Sequence, residues 1–388
     1  MKAWQIQHDK LLPININKYK YSKLEEIKTK LSKAKSQLDE EYKKPNFAKY
    51  WSNFDPFKYE KYVVSEIGNT TNVSNAWIKC YELINYFGLL DKIKFQDKFL
   101  HFDNAAFPGS FILAVHHMVN TLYSDNSSKF EWKASSLYEA TDEDPEPLED
   151  KYGLFQKYKK HWLMDDKNNG DVLVESNQLD FRQKLQNLVD LYTSDLGFDV
   201  SQDYNNQELL QMPANVGQIL TGLLTLNKGG SFITKQYTTF EPITLSIMYA
   251  TSAFFEEFYI CKPYSSREAN SETYLVGKGF KGADLSHPYI VMFLEKIKTK
   301  TDTPFFALES YPEKYIKTIT ECAKDLSNAQ IEKINADIFR CNKCINMKIQ
   351  DPKKNSIVIE FYKSIENKLI EWYSSNPVLP ILHKNKLL

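Results

Sequence analysis

The sequence contains no long apolar run. Nowhere does it approach the roughly 20 consecutive apolar residues that a membrane-spanning helix requires. Its beginning, MKAWQIQHDKLLPININKYK, lacks the apolar centre that marks a signal peptide. Cysteine is also scarce, and the five present are an odd number, which suits a reducing compartment better than a disulfide framework. We therefore expect a soluble, intracellular protein.

Several common catalytic and binding motifs are absent as well. The chain has no Walker phosphate loop and no Gly-x-Ser-x-Gly elbow, which argues against the enzyme classes that depend on them. Cys341 and Cys344 form a CxxC pair with Cys322 upstream, but no second pair and no nearby histidine pair completes the four ligands of a structural zinc site. We expect free thiols and no bound metal.

Net charge is close to zero, with 49 basic and 50 acidic residues. A nucleic-acid ligand would therefore have to bind to a local patch and not to a uniformly basic surface. Residues 22–44, SKLEEIKTKLSKAKSQLDEEYKK, are rich in lysine and form a candidate amphipathic helix. Either its lysines are simply solvated, or they contact RNA, and both interpretations stay open. In either case an apolar face would pack on the body through Leu24, Ile27, Leu31, Ala34 and Leu38.

The pattern of apolar residues changes near Phe99. Downstream of it, short apolar runs alternate with helix-like segments, which predicts an α/β fold with a mostly parallel sheet flanked by helices. The runs expected to be strands are FLHFDNA, FEWKASSL, DVLVES, VDLYTSD, SFITKQY, EEFYICKP and TYLVGKGF. We expect three regions: a helical, lysine-rich extension (1–70), a central α/β domain (71–300) and a second helical extension (301–388).

Charged residues at the carboxyl ends of the predicted strands are the best site candidates, because ligands of such sheets bind there. Asp103 ends one strand and precedes a Pro-Gly turn in FDNAAFPGSF, where backbone amides at a helix start can approach a charged ligand. Asp195 ends VDLYTSD, Lys235 follows GGSFIT, and Glu272 precedes the strand within KPYSSREANSETYLVGKGFKG. Lys79 lies in NVSNAWIKCYEL, on a different helical face from the apolar residues of that segment.

These segments resemble the FtsJ-like RNA ribose 2'-O-methyltransferases over about residues 72–282. The resemblance implies a Rossmann-like fold that uses S-adenosylmethionine, with Lys79, Asp195, Lys235 and Glu272 as catalytic residues. FDNAAFPGSF is similar to the family's acid-x-x-x-x-Pro-Gly-Gly-Phe loop, with a phenylalanine where a small residue is usual and a serine in place of the second glycine. The residues thereby implied in cofactor binding are Asp103, Ala105, Ala106, Phe107, Pro108, Gly109, Ser110, Phe111, Asp171 (toward the adenosine part) and Asp195.

Two mechanisms fit the catalytic set that the resemblance implies. Lys235 could be the base that removes the ribose proton, and its pKa would then have to be lowered from about 10.4 by burial and by a like charge such as Lys79. Alternatively, Lys235 stays charged and steers the hydroxyl, and the proton is lost after methyl transfer. The sequence does not separate these two mechanisms.

Among FtsJ-like enzymes, the run that contains Ser266, Arg267, Asn270, Ser271 and Glu272 is most similar to the cap-1 enzymes of eukaryotes and large DNA viruses. The implied function is 2'-O-methylation of the first transcribed nucleotide of capped mRNA, with RNA and other capping or transcription proteins as partners. The alternatives are methylation of ribosomal or transfer RNA, and a noncatalytic subunit of a capping complex. The expected compartment is the cytoplasm, including a viral factory or virion, for a viral source, and the nucleus for a cellular one.

Overall fold

The computed structural model of the chain describes residues 1–15, 18–137, 150–198, 200, 203, 205–347 and 351–388. A seven-stranded sheet organises them, with the spatial order β1-β6-β7-β5-β4-β2-β3. The strands are β1 (Lys2–Ile6), β2 (Phe99–Asn104), β3 (Phe130–Ser135), β4 (Val189–Ser194), β5 (Leu226–Gln236), β6 (Phe255–Lys262) and β7 (Thr273–Phe280).

Five of the seven strands point the same way. β2 is parallel to both β3 and β4, and β4 is parallel to β5. β7 is antiparallel to β5 and to β6, so that β6 has the direction of β5, and β1 is antiparallel to β6 at the sheet edge. The predicted α/β fold with a mostly parallel sheet is therefore confirmed. The end of β4, the end of β5 and the start of β7 lie along one edge.

Helices cover both faces of this sheet. Neighbouring residues of a strand point to opposite faces, so each strand contributes side chains to the cores on both sides. Tyr192 and Phe232 lie in the hydrophobic core under α7 to α10, whereas Leu191 and Ile233 lie in the core under α4 and α5. The helices are α1 (Ser22–Tyr42), α2 (Phe47–Trp51), α3 (Glu60–Ile67), α4 (Asn75–Phe87), α5 (Ser110–Thr121), α6 (Leu154–Lys157), α7 (Glu175–Leu185), α8 (Gln207–Thr225), α9 (Pro242–Ser252), α10 (Pro288–Thr299), α11 (Glu313–Asn346), α12 (Ser356–Ser364) and α13 (Glu366–Ser375).

The run DVLVES is not a strand, so that prediction was wrong. Asp171 accepts a hydrogen bond from the backbone N–H of Leu173 at 2.8 Å, which forms a local turn. Side-chain amides of α7 complete it: Asn177 Nδ2 donates to the carbonyl of Asp171 at 3.0 Å, and Gln178 Nε2 donates to the carbonyl of Val172 at 2.7 Å. Backbone groups that a strand would pair with a neighbouring strand are thus paired by side chains.

The regions on either side of the central domain pack onto it and onto each other. β1 was not predicted, and it extends the sheet by pairing with β6. In α1, Leu24, Leu31 and Ala34 are buried, as the predicted apolar face requires, and the helix packs along α11. The division into three regions stays a prediction. No helix in the described ranges has both the length and the apolar composition needed to span a membrane.

Candidate active site

Four charged side chains that are far apart in sequence meet at one edge of the sheet. Asp195 follows the last residue of β4, and Lys235 is the next-to-last residue of β5, the parallel neighbour of β4. Glu272 directly precedes β7, whose antiparallel direction brings its start to the same edge. Lys79 reaches this edge from the second turn of α4. The topology therefore assembles all four predicted catalytic residues.

Ion pairs and one hydroxyl connect the four residues. Lys79 Nζ lies 2.5 Å from Glu272 Oε1, and Lys235 Nζ lies 3.0 Å from Asp195 Oδ1. Lys235 also donates to the backbone carbonyl of Asp195 at 2.9 Å. The Tyr274 hydroxyl links the two pairs, since it lies 2.8 Å from Asp195 Oδ1 and 3.2 Å from Glu272 Oε1. We call these five residues the catalytic group; their individual roles stay predictions.

Burial and the paired charges act in opposite directions on the catalytic group. Burial would raise the pKa of Glu272, but the ammonium groups of Lys79 and Lys235 outweigh burial and hold that pKa well below its usual range. Burial would lower the pKa of Lys235, but the carboxylates of Asp195 and Glu272 reverse the effect and raise it. Lys235 is therefore an ammonium at neutral pH in this structure. That state matches the steering mechanism and not the one that needs a lowered pKa.

Two tyrosines and a glycine beside Lys235 were not predicted. Tyr274 is the residue directly opposite Lys235 in the β5–β7 pairing. A Cβ atom at Gly197 would lie 2.7 Å from the Tyr237 hydroxyl and 3.1 Å from Lys235 Nζ, so a larger residue at this position would have to displace the end of the Tyr237 side chain. Tyr237 and Tyr274 are each two residues from a predicted catalytic residue. Because side chains two apart in an extended chain point to the same side, that spacing was a usable signal.

A fifth charge, Lys262, is buried behind Glu272. Its Nζ donates to Asn270 Oδ1 at 2.8 Å, to the Asn270 carbonyl at 3.0 Å and to the Glu272 carbonyl at 2.9 Å. Burial lowers the pKa of Lys262 to about 7, although the Glu272 carboxylate favours the ammonium. The hydrogen bonds tie the end of β6 to the segment that enters β7. Lys262 begins the run that carries the family resemblance, but no role was predicted for it.

The predicted cofactor loop joins β2 to α5. Gly109 is the N-cap of α5 and has a φ of 106°, a conformation that glycine adopts without strain. Ser110, which replaces the family's second glycine, is the first residue of α5 itself. Its Oγ accepts a hydrogen bond at 2.8 Å from the Oγ of Ser74, the N-cap of α4. The serine thus connects the loop to the helix that carries Lys79.

A cavity of about 220 Å³ lies between this loop, the turn at Asp171 and the end of β4. We call it the cofactor cavity. Asn104 was not predicted, yet it lines the cavity, and neither polar atom of its buried amide has a hydrogen-bond partner among the described residues. An unpaired amide at a cavity wall fits a polar ligand. The predicted cofactor residues that line the cavity are Ala105, Phe107, Asp171 and Asp195. Those that lie outside its lining are Asp103, Ala106, Pro108, Gly109, Ser110 and Phe111.

Asp103 is buried in the sheet beneath the cavity. Its Oδ1 accepts a hydrogen bond from Thr193 Oγ1 at 2.6 Å, and His101 Nε2 lies 2.7 Å from the same hydroxyl. Burial raises the pKa of Asp103 well above its ordinary value and lowers the pKa of His101 to about 3. The His101 ring is therefore neutral at pH 7. This position supports an anchoring role that joins β2 to β4.

Comparison with known proteins agrees with the site. The family model described as FtsJ-like methyltransferase matches residues 72–280. The chain belongs to the FtsJ-like methyltransferase family. The matched range contains the whole catalytic group and every residue that lines the cofactor cavity. Helices α1 and α11 lie outside it.

Two curated relatives and one solved structure illustrate how this FtsJ-like chain compares. It is 38% identical to "Probable methyltransferase EP424R" of African swine fever virus (isolate Pig/Kenya/KEN-50/1950) over 322 residues, which span 79% of this chain and 72% of that protein. It is 28% identical to "Cap-specific mRNA (nucleoside-2'-O-)-methyltransferase 2" of Pongo abelii over 300 residues, which span 72% of this chain and 37% of that protein. Human methyltransferase-like protein 13, solved with SAH, matches with 13% identity and a TM-score of 0.31 over 61% of this chain and 99% of that chain.

Proposed function

We propose that this FtsJ-like chain is an S-adenosylmethionine-dependent RNA 2'-O-methyltransferase that acts on the first transcribed nucleotide of capped mRNA. The observation that carries the proposal is the contact of two lysines and two carboxylates, Lys79–Glu272 and Lys235–Asp195, beside the cofactor cavity. The choice of substrate rests on the run 262–282 and on relatives named as cap-specific mRNA 2'-O-methyltransferases.

The catalytic group has the means to orient a ribose hydroxyl. Such a hydroxyl is a poor nucleophile, so the protein has to position its oxygen and stabilise the charge that develops on it. The Lys235 ammonium directs two of its three protons at Asp195, toward the carbonyl and Oδ1, and the third is available for the 2'-oxygen. The carboxylates of Asp195 and Glu272 stabilise positive charge on that oxygen as the new carbon–oxygen bond forms. The hydroxyl proton then leaves to water.

The cofactor cavity borders the catalytic group, so a donor bound in the cavity would lie next to that group. S-adenosylmethionine supplies the activated methyl group when bound. Asp171 would hold the adenosine part, and the unpaired amide of Asn104 would contact a polar part of the cofactor. Asp195 lines the cavity and also binds Lys235, so one residue borders both the cofactor and the reacting hydroxyl.

Replacement of the steering lysine tests the catalytic assignment. We expect Lys235→Ala to lower kcat for methyl transfer by at least about 100-fold, because the 2'-oxygen loses its positioning ammonium. Affinity for S-adenosylmethionine, measured by calorimetry, should stay near the wild-type value because Lys235 does not line the cofactor cavity. Lys228→Ala is the matched control, since Lys228 is an exposed lysine of the same strand. Normal turnover in Lys235→Ala would refute the assignment.

Substrate choice is tested by transfer of a tritiated methyl group to capped, uncapped and internal-only RNA. Incorporation confined to the first ribose of capped RNA supports the proposal. Label in uncapped RNA would instead favour ribosomal or transfer RNA as the substrate. Cofactor binding without incorporation into any of the three would identify a noncatalytic subunit.

A further inference from the structure

A groove of about 690 Å³ is lined in part by Glu272 of the catalytic group and shares no lining residue with the cofactor cavity. Tyr237 and Glu272 form its inner end. Its outer wall comes from two helices that lie outside the family match: Lys35 and Tyr42 belong to α1, and Gln330 belongs to α11. We call this space the acceptor groove. Flanking segments of the chain therefore border the catalytic group directly.

The cofactor cavity and the acceptor groove approach Lys235 from different sides. Asp195 and Gly197 line the cavity, whereas Tyr237 and Glu272 line the groove. Lys235 Nζ lies 3.0 Å from Asp195 Oδ1, and a Cβ atom at Gly197 would come within 2.7 Å of the Tyr237 hydroxyl, so the two spaces are separated by little more than these side chains. A donor in one space and an acceptor in the other would therefore both lie near Lys235, as methyl transfer between them requires.

We propose that the acceptor groove binds the RNA nucleotides that flank the methylated ribose, so that α1 and α11 determine which RNA strand is accepted. This inference rests on the proposed function. A ribose held at Lys235 is joined to the next nucleotide by a phosphodiester bond and, in the proposed substrate, to the cap by a triphosphate, so the adjacent nucleotides must occupy space that borders the catalytic group. The groove is such a space.

The groove carries the chemistry that single-stranded RNA requires. Single strands are bound by aromatic rings that stack on bases and by cations that contact phosphates. Tyr42 and Tyr237 supply rings, and Asn270 and Gln330 supply amides for base edges. Lys35 supplies the cation, and the carboxylates of Asp39 and Glu272 line the same groove. Burial lowers the pKa of Lys35 to about 8 although Glu208 and Asp39 favour its charged form, and a phosphate in the groove would add to that favourable effect.

Substitutions in α1 test the proposal without touching the catalytic group. We expect Lys35→Ala and Tyr42→Ala each to raise KM for RNA by about 10-fold, while KM for S-adenosylmethionine and kcat at saturating RNA change less than about twofold, since a lost binding contact of this kind costs about 1.4 kcal/mol. The matched control is Lys33→Ala, because Lys33 lies on the same helix, is fully exposed and does not line the groove. The control should match the wild type.

Direct binding separates this inference from the proposed function. Fluorescence anisotropy with a capped and an uncapped single-stranded oligoribonucleotide of the same sequence measures affinity whether or not methyl transfer occurs. Weaker binding by both groove variants, with Lys33→Ala unchanged, supports the groove assignment. Wild-type affinity in both variants would overturn it even if the enzyme is active. If the wild type binds RNA through the groove but transfers no methyl group, the proposed function fails and the groove assignment stands.

Discussion

At the scale of single residues, the site depends on lysines in different electrostatic settings. Lys79 and Lys235 each pair with a carboxylate. Lys262 is equally buried, but its hydrogen bonds within the described ranges all go to carbonyl, amide and hydroxyl oxygens. Burying an ammonium without a paired charge is costly, so those hydrogen bonds have to offset the cost. Two of them go to Asn270 and one to the backbone of Glu272, which makes Lys262 a positioning residue for the Glu272 carboxylate.

The positioning role of Lys262 predicts a specific loss. We expect Lys262→Met, which keeps the length of the side chain, to lower kcat by about 10- to 100-fold, or about 1.4 to 2.7 kcal/mol, with KM for S-adenosylmethionine unchanged. If Lys262 acts through Glu272, the same substitution in a Glu272→Ala background should cost little more, because the carboxylate that it positions is gone. Steady-state kinetics of the two single variants and the double variant measure this coupling.

A second buried lysine provides the control for Lys262. Lys296 in α10 is also buried and donates to the hydroxyl groups of Thr301 and Thr303, far from the catalytic group in the fold. Lys296→Met should reduce the unfolding temperature without changing kcat. Independent, multiplicative losses in the Lys262 and Glu272 variants would show that Lys262 does not act through Glu272.

At the scale of elements, sequence patterns predicted the strands that alternate regularly and missed those that depend on context. β4 and β5 follow from their apolar runs, whereas β1 is a five-residue edge strand held by one neighbour, β6, and has no comparable local signal. DVLVES has a strand-like composition, but the preceding Asn-Asn-Gly-Asp turn and the amides of α7 satisfy its backbone. In this run, side-chain hydrogen bonds to the backbone outweighed the local propensity to form a strand.

The candidate site, like the strands, was predicted from the sequence only in part. The family resemblance implied Lys79, Asp195, Lys235 and Glu272, whose catalytic roles stay predictions. The parallel order of β4 and β5 explains why Asp195 and Lys235 meet. The Asn104 amide is buried and has no hydrogen-bond partner among the described residues. No sequence motif predicts that burial. The state of Lys235 also needed the structure, because the sign of its pKa shift depends on whether burial or the adjacent carboxylates dominate.

α8 packs against the turn at Asp171, which lines the cofactor cavity. The shape of the cavity should therefore depend on the packing of α8. A Cβ atom at Gly217 would lie 2.7 Å from the carbonyl of Val172, a residue that lines the cavity. Alanine in a helix is ordinarily more stable than glycine by about 1 kcal/mol, yet here it has to displace the turn. We expect Gly217→Ala to weaken S-adenosylmethionine binding by about 10-fold in calorimetry, equivalent to about 1.4 kcal/mol.

The same substitution one turn further along α8 is the control. A Cβ atom at Gly222 would meet the rings of Tyr192 and Phe232 in the core at 2.7 and 2.8 Å, and neither residue lines the cofactor cavity. Gly222→Ala should lower the unfolding temperature and leave cofactor affinity unchanged. Equal effects of the two substitutions on affinity would show that the loss reflects general destabilisation of α8.

At the scale of the whole molecule, buried histidines link stability to pH. Burial lowers the pKa of His101 to about 3 and the pKa values of His8, His116 and His117 to about 4. These residues join separate parts of the chain: the His8 ring lies 4.8 Å from that of Tyr249, and His117 Nε2 lies 3.0 Å from the carbonyl of Leu379. Protonating them would therefore disturb contacts of both flanking regions with the central sheet.

The direction of the pH effect follows from which state binds protons first. In the unfolded chain the histidines have an ordinary pKa of about 6.5. Below that pH the unfolded state therefore binds protons at these residues that the folded state does not bind. The free energy of unfolding should therefore fall as the pH decreases from about 6.5 toward 3 to 4, and this contribution should be constant above about 6.5. For fully buried His101 the loss between about pH 6.5 and pH 5 amounts to about 2 kcal/mol.

Urea unfolding of the wild type at about pH 7.5 and about pH 5 measures this loss. In His101→Gln, the difference between the free energies of unfolding at the two pH values should shrink by about 2 kcal/mol. The imidazole that binds a proton only in the unfolded state is then absent. The substitution itself lowers stability at both pH values, since it breaks the contact with Thr193, but it does so without changing that difference. His383→Gln is the control, because His383 is exposed and its loss should leave the wild-type difference intact. An undiminished difference in His101→Gln would mean that acid destabilises this fold through its carboxylates and not through the neutral histidine in its sheet.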